Sequence, residues 1–242
     1  PGNPDQWLQV QKLSPIDGAA GDDFGETVAI SGNTIVVGAP LVLGSRGAAY
    51  IYQRNGASNS WALVQKVVSS DIAVNDQFGS SVAVSGDVVV VGSRLDDDAG
   101  VSSGSAYLFA RNQGGVNHWG QLKKLVASDA AAGDQFGFAA SISGDAVLIG
   151  APDDIRDGLK TGSAYLYGRN EGGTNNWGQI KKLVSSNGGG GDEFGASVSI
   201  DGENLIVGAH FYDFSGIDTG AAYIFARNQG GTNNWGELKS IV

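Results

Sequence analysis

Closely spaced aspartates are the residues of this chain whose type and spacing best suit a chemical role. They form two runs: Asp96, Asp97 and Asp98, and Asp153, Asp154 and Asp157. Calcium takes about six to eight oxygen ligands, and neighbouring carboxylates are a common source of them. Both runs are therefore candidate metal ligands, and calcium is the cofactor that the sequence suggests. The alternative is that these acids serve only solubility or the electrostatic choice of a basic partner.

A second set of aspartates belongs to a pattern, D-x4-D-x-F-G, which loses its first aspartate in the last copy. The second aspartate of the pattern stands at four places: Asp22, Asp76, Asp134 and Asp192. Asp side chains often accept hydrogen bonds from backbone amides within a turn. A residue that recurs in every copy of a pattern is more typical of such a structural role than of a unique site. We therefore expect these four residues to cap turns.

Arginine–asparagine pairs begin a third pattern, R-N-x-G-G-x-N-x-W. The candidate ligand-binding residues are Arg111, Asn112, Arg169, Asn170, Arg227 and Asn228. Amide and guanidinium groups can hydrogen-bond sugar hydroxyls, and an exposed indole can stack on a sugar ring. The alternative is that Arg and Asn satisfy turn carbonyls while the tryptophans pack as core.

Known catalytic arrangements do not emerge from the sequence. The two histidines, His118 and His210, stand in different types of loop, so a metal pair or a histidine relay does not follow. Residues 100–104 match G-x-S-x-G, but a nucleophile elbow needs a helix after the serine, and this segment precedes a strand pattern. Acid pairs that a glycosidase could use are spread over the whole chain rather than concentrated in one place. We expect no enzymatic activity.

Composition excludes several other classes of protein. The net charge of −10 over 242 residues argues against nucleic-acid binding, which needs a basic face. No apolar run is long enough to insert into a membrane. Cysteine is absent, which excludes disulfides and thiolate metal sites and favours an extracellular or cell-surface location. Methionine is also absent, so we expect a processed or excised piece of chain.

Four tandem units position these residues. Tryptophan recurs at Trp7, Trp61, Trp119, Trp177 and Trp235, with spacings of 54, 58, 58 and 58 residues. The Phe-Gly pairs that begin at Phe24, Phe78, Phe136 and Phe194 repeat with the spacings 54, 58 and 58. These markers predict one domain over residues 1–242. The predicted repeats are 12–68, 69–126, 127–184 and 185–242, and residues 1–11 form an extra outer strand.

Each unit has the pattern of four short strands. In the second unit, FGSSVAVSG alternates apolar and polar residues, DVVVVGS is continuously apolar, and SAYLFAR and WGQLKKLV alternate again. A sandwich and a solenoid are the competing all-β folds, but a solenoid would repeat about every 20–30 residues, and the observed unit is twice as long and contains hairpin turns. The units therefore predict an all-β fold, a β-propeller with four-stranded antiparallel blades.

The units resemble the FG-GAP repeat, the blade of integrin-α-like propellers, in the short form found in bacteria. The residues that carry the resemblance are FGETVAISGNTIVVGAP followed by GAAYIY, and Gly150-Ala151-Pro152 repeats the GAP element. The resemblance implies a secreted or surface protein with an adhesion or lectin role. Family blades often hold calcium between their first two strands. Here the corresponding turns have too few acids for that site: Ser31–Asn33, Ser85–Asp87, Ser143–Asp145 and Asp201–Glu203.

These observations predict a non-catalytic binding or adhesion module that presents loops to a protein or glycan ligand. Two alternatives stay open, a lectin with repeated pockets and a structural spacer without its own ligand. Five tryptophan strands accompany only four Phe-Gly units, so one strand is spare. Three arrangements would account for it: one blade has an extra edge strand, the chain is a piece of a longer ring, or self-association completes or covers the ring.

Overall fold

The computed structural model describes residues 8–56, 58–213 and 216–242. Their strands form four antiparallel sheets of four strands each, which confirms the all-β fold and is consistent with propeller blades. Each sheet follows the order of the chain, so every blade is a simple meander. Among the described residues, the one helical element is a short turn, α1 (Val42–Ser45), between the second and third strands of the first blade.

The strands of the four blades lie inside the four predicted repeats. Blade 1 contains β1 (Val28–Ser31), β2 (Thr34–Ala39), β3 (Ala48–Asn55) and β4 (Ser60–Val67). Blade 2 contains β5 (Phe78–Ser85), β6 (Val88–Ser93), β7 (Ser105–Arg111) and β8 (Trp119–Leu125). Blade 3 contains β9 (Ala139–Ser143), β10 (Ala146–Ala151), β13 (Ser163–Gly168) and β14 (Gly178–Leu183), with a small hairpin of β11 (Ile155–Arg156) and β12 (Leu159–Lys160) inserted after β10. Blade 4 contains β15 (Ser197–Asp201), β16 (Asn204–Ala209), β17 (Ala221–Ala226) and β18 (Gly236–Ile241).

The cores lie between blades rather than inside them, because each sheet is apolar on both faces. The continuous Val88–Val91 run of β6 shows this, since alternate valines pack on opposite neighbours. Three clusters of buried side chains fill the spaces between blades 1 and 2, 2 and 3, and 3 and 4. The first strands of successive blades are in contact, β1 with β5, β5 with β9 and β9 with β15.

The repeat markers belong to these cores. Phe78, Phe136 and Phe194 are fully buried, and so are the tryptophans Trp119 and Trp177, while Trp235 is nearly so. Phe24 and Trp61 belong to blade 1 and are only partly buried. The prediction that the tryptophans pack as core therefore holds from the second blade onward, and the indole faces there are not available to a sugar.

The described blades form an open arc, because the outer faces of blades 1 and 4 stay uncovered. Residues 8–11 lie beside blade 1 but are not part of a strand, and Trp7 lies outside the described residues. Gln11 exchanges hydrogen bonds with the main chain of Trp61 at 2.8 and 2.9 Å. Gln65 makes the same exchange with Trp119 in the next blade. The N-terminal segment thus stands where the fourth strand of a preceding blade would stand.

Candidate functional site

Two sets of loops meet at one end of the blades and form the acidic loop face. One set precedes the first strand of blades 2, 3 and 4 (residues 68–77, 126–135 and 184–193). The other joins the second and third strands of a blade (residues 94–104, 152–162, and 210–213 with 216–220). Backbone hydrogen bonds join the two sets: Gly133 N donates to Val101 O at 2.9 Å, and Gln135 N donates to Ser102 O at 3.1 Å. Most of the 25 acidic residues of the chain lie in these loops or in the loop before β1.

The repeated aspartates of this face cap turns, as the sequence predicts. Oδ2 of Asp76 and of Asp134 each accepts a hydrogen bond from the backbone amide three residues earlier, at 2.7 Å. Asp22 and Asp192 make the equivalent bond. Burial raises the pKa of Asp76 and Asp134, although the amide hydrogen bonds oppose that rise. Their carboxylates stabilise the turn and do not present an isolated charge to solvent.

A lysine from the fourth strand of blade 2 pairs with three neighbouring acids. Nζ of Lys124 lies 2.7 Å from Oδ2 of Asp71 and 3.1 Å from Oδ2 of the buried Asp96, and it also contacts Asp98. The hydroxyl of Tyr107 lies 2.8 Å from Asp71 and 2.7 Å from Asp96. Within the described part of the chain, these three aspartates are the one cluster whose carboxylates converge as metal ligands do. The ammonium group of Lys124 contacts all three of these carboxylates.

Blade 3 repeats this arrangement and blade 4 replaces it with neutral groups. In blade 3, Nζ of Lys182 lies 2.7 Å from Asp129 and 2.5 Å from Asp154. In blade 4 the equivalent positions hold Asn187, Tyr212 and Ser240. Asn187 donates to the hydroxyl of Tyr212 at 2.7 Å and accepts from Tyr223 at 2.8 Å. The two acids and their lysine therefore change together, so that neither an unpaired acid nor an unpaired lysine remains at these positions in blade 4.

Sequence reasoning missed these lysines, although the sequence contains a signal for them. Lys66, Lys124 and Lys182 each stand five residues after a tryptophan, and each pairs with the first aspartate of the D-x4-D pattern. The fourth unit loses both members at once, with Asn187 and Ser240. Such paired loss indicates contact between two positions.

The remaining candidate metal ligands do not converge. Asp97 accepts a hydrogen bond from Ser102 N at 2.7 Å and so closes its own loop. Asp153 lies 2.7 Å from Nε2 of Gln135 and 3.2 Å from Nζ of Lys160. Asp157 and the following glycine both have positive φ, as the β11–β12 hairpin turn requires. Asp153, Asp154 and Asp157 thus take three separate roles.

The R-N-x-G-G loops lie at the opposite end of the blades and form the amide loop face. Each candidate arginine pairs with an acid of the first hairpin of its blade: Arg111 with Asp87 at 3.1 Å, Arg169 with Asp145 at 2.5 Å and Arg227 with Glu203 at 3.6 Å. The guanidinium groups of Arg111 and Arg169 lie 5.2 and 4.8 Å from the ring centres of Trp119 and Trp177. Asn112, Asn170 and Asn228 each accept a hydrogen bond from the amide five residues later. The candidate ligand-binding residues therefore also hold their own loops.

A groove of about 490 Å³ lies on this face between blades 3 and 4. Its polar lining comes from Arg169, Asn170, Glu171, Glu203 and Arg227, and Trp235 contributes to its wall. It brings together candidate residues of two adjacent units, a feature that spacing along the sequence does not reveal.

Features of a catalytic centre are not gathered at either face of the described residues. His210 lies 3.4 Å from Glu193 on the acidic loop face, and His118 contacts Gln113 O on the amide loop face. The G-x-S-x-G segment is a loop before β7, as the sequence predicts. Burial and the neighbouring Asp96 raise the pKa of Tyr107, so its hydroxyl stays protonated. No described helix has the length and apolar character that crossing a membrane requires.

Comparison with known families identifies the repeat. A family model described as FG-GAP repeat matches the chain four times, at residues 7–52, 61–109, 119–167 and 177–225. Each match begins at a tryptophan and ends in the third strand of the blade that follows it. No curated protein matches the chain.

Proposed function

Because this chain belongs to the FG-GAP repeat family, we propose that it is a non-catalytic binding module whose acidic loop face recognises a positively charged protein surface. FG-GAP repeats are consistent with a protein-interaction or adhesion module. Such domains are typical of extracellular or surface proteins, and we propose that location for this chain. Rigid blades hold the loops, and the loops select the partner.

The observation that carries the proposal is the one-sided distribution of acids. The acidic loop face includes carboxylates beyond those that Lys124 and Lys182 neutralise. Asp97 and Asp157 are exposed and lie in different blades, so a partner can reach both. A surface of one sign raises the association rate of an oppositely charged partner and makes binding sensitive to salt.

Two double variants with the same change in net charge test this proposal. Asp97→Asn with Asp157→Asn alters the acidic loop face, and Glu171→Gln with Glu203→Gln alters the amide loop face. The probe is an immobilised lysine-rich peptide, and the readout is its affinity at about 50 and about 300 mM salt. We expect the first variant to weaken binding several-fold and to reduce its salt dependence, while the second stays near wild type.

Equal weakening by both variants would mean that only the total charge matters, and it would contradict a defined face. Absence of binding to the peptide at low salt would also overturn the proposal and would favour a structural spacer.

A glycan ligand is a second candidate, and the groove between blades 3 and 4 favours it. Exposed Arg227 and Asn170 offer hydrogen-bond donors to hydroxyl groups, although the buried tryptophans offer no stacking surface in blades 2 to 4. A glycan array with wild type and Arg227→Ala tests it. Binding that Arg227→Ala abolishes and that the Asp97/Asp157 variant retains would support a lectin, and an array without any bound sugar would remove this candidate.

A further inference from the structure

Adjacent blades approach each other through one repeated backbone contact. A Cβ atom added to Gly92 of β6 would lie 2.0 Å from the carbonyl oxygen of Gly137, which begins the next blade. Gly38 approaches Gly79 in the same way, and Gly150 approaches Gly195. No side chain larger than hydrogen fits at such a distance, so this glycine pair is a specific feature of a blade-to-blade interface.

The two ends of the arc each carry one half of this contact. Gly25 of blade 1 corresponds to Gly79, and it has the same positive φ of 98°, but a Cβ there would meet nothing within 4 Å. Gly208 of blade 4 corresponds to Gly150, and a Cβ there would meet only Ser197 of its own blade. Blade 1 therefore presents the receiving half and blade 4 presents the approaching half.

The apolar side chains of the two ends are also halves of an interblade core. Val28 and Ile30 of blade 1 are 67% and 65% exposed, whereas their equivalents Val82 and Val84 are 8% and 9% exposed. At the other end, Ile206 of blade 4 is 38% exposed, whereas its equivalent Leu148 is fully buried. Ile241 is 49% exposed. Both ends thus expose residues that every internal blade buries against a neighbour.

Polar groups at the two ends are complementary as well. Inside the arc, Thr27 Oγ1 donates to Gly79 O at 2.9 Å, and Ser81 makes the same bond to the blade that follows it. The equivalent donor in blade 4 is Ser197, and its equivalent acceptor is the carbonyl of Gly25. Likewise Gly202 N donates to Ser143 Oγ of the preceding blade at 3.1 Å. In blade 4 the carboxylate of Asp201 stands where blade 3 has this acceptor hydroxyl. The corresponding donor at the other end of the arc is the amide of Gly32 in blade 1.

We propose that a second copy of this chain docks head to tail on the first, with blade 4 of one copy against blade 1 of the other. One chain carries both halves of the interface. Each copy therefore supplies the glycine contact and the hydrogen-bond partners that the other lacks, and it covers the other copy's exposed apolar side chains. Two copies related by a two-fold axis make this contact twice and close a ring. If the rotation between successive copies does not close a ring, the same contact gives a linear chain of copies.

The N-terminal segment competes with this docking. Residues 8–13 occupy the place of the partner's β18. Leu13 packs against buried side chains of blade 1 that include Val37 and Tyr50, and Gln11 hydrogen-bonds Trp61. The equivalent of Gln11 in β18 is Lys239, which aligns with Lys123 and Lys181. Both of those lysines donate to a main-chain carbonyl of the following blade. Lys239 of the partner subunit can therefore donate to the equivalent carbonyl of blade 1, that of Ser60, when residues 8–13 move away.

The test measures the mass of the 242-residue chain in solution by light scattering at about 1 to about 100 μM, the range in which moderate interfaces assemble. We expect a species of twice 24.8 kDa or longer head-to-tail oligomers, whose fraction increases with concentration. Ile30→Glu damages the blade 1 end and Ile206→Glu the blade 4 end, and each alone is expected to weaken assembly at least about ten-fold. Val116→Glu, at an exposed residue of an amide loop, is the control and should assemble like wild type.

Mixing the two variants distinguishes head-to-tail docking from any other arrangement. The Ile30→Glu variant retains an unaltered docking surface on blade 4, and the Ile206→Glu variant retains an unaltered docking surface on blade 1. Their mixture should therefore form a heterodimer through one intact interface, while each variant alone stays monomeric. Gln11→Ala should strengthen assembly, because it loosens the competing segment. A wild type that is monomeric throughout, or a mixture that stays monomeric, would overturn the proposal.

Discussion

Nζ of Lys124 lies 3.1 Å from Oδ2 of Asp96, whose side chain is only 4% exposed. The lysine comes from the fourth strand of blade 2, and the aspartate from the loop after the second strand. Asp71, from the loop that leads into the same blade, completes the cluster. An internal ammonium group thus supplies the positive charge that a bound cation supplies in many acidic loops.

Calcium should therefore leave the melting temperature of the protein unchanged at about millimolar concentration, the affinity range of weak extracellular sites. The metal would have to displace Lys124 before it could bind Asp71, Asp96 and Asp98. Thermal unfolding with calcium chloride and with a chelator measures the effect. A melting temperature that rises with calcium, and that Asp98→Asn returns to the chelator value, would instead support the metal site suggested by the aspartate run.

Lys124→Ala should destabilise the fold by about 2–4 kcal/mol, because it removes the positive charge that compensates the buried carboxylate of Asp96. Lys66→Ala is the matched control in blade 1. Lys66 faces a single, largely exposed carboxylate, Asp17, and such a pair contributes about 0–1 kcal/mol. Urea unfolding of both variants measures the difference. Equal losses would show that the cluster is worth no more than a surface pair.

Acid should weaken the fold through Asp71 and Asp129. Burial raises the pKa of each, but hydrogen bonds from Lys124 or Lys182 and from a tyrosine outweigh it, so both values lie below the usual 3.8. A carboxyl with a lowered folded pKa stabilises the fold above its unfolded pKa and loses this contribution as the pH falls through the folded value. The free energy of unfolding should therefore decrease as the pH falls below about 3.8.

The double variant Asp71→Asn with Asp129→Asn should show a shallower decrease, because its neutral amides have no proton to gain. Asp76 and Asp134 act in the opposite direction, since their raised pKa means that protonation favours the folded state. Urea unfolding from about pH 2.5 to about pH 6 gives both slopes. Identical slopes for wild type and the double variant would contradict this account.

Replacing Trp177 by alanine should cost about 3–5 kcal/mol, because its fully buried ring fills the space between blades 2 and 3. Trp61 is partly exposed at the uncovered face of blade 1, and Trp61→Ala should cost clearly less. Denaturant unfolding of the two variants tests the ranking. A loss below about 1 kcal/mol at Trp177 would be inconsistent with an interblade core.

The repeat explains how much of this structure the sequence could predict. Spacing of Trp, Phe-Gly and strand patterns predicts the blades and the turn role of Asp134, because those features depend on local chemistry that every unit repeats. The pairing of Lys124 with Asp71 joins residues 53 positions apart, and one sequence reveals it only through their joint loss in the fourth unit. The groove between blades 3 and 4 depends on how two sheets pack, which residue type alone does not encode.

That joint loss provides the sharpest test of the lysine clusters. Asn187→Asp places a carboxylate in blade 4 beside Tyr212 and Tyr223, where no lysine stands, so it should destabilise the fold at neutral pH. Ser240→Lys alone places an ammonium group near no carboxylate of the blade 4 cluster and should also be unfavourable. The double variant recreates the pair of Asp129 and Lys182 in blade 3, whose atoms lie 2.7 Å apart. Its free energy of unfolding should exceed the value expected from adding the two single effects by about 1–2 kcal/mol.

A double-mutant cycle from urea unfolding at neutral pH measures this coupling, and at about pH 2.5 the coupling should vanish because the carboxyl group is protonated. Strictly additive effects at neutral pH would show that the two positions do not meet in blade 4 as they do in blade 3.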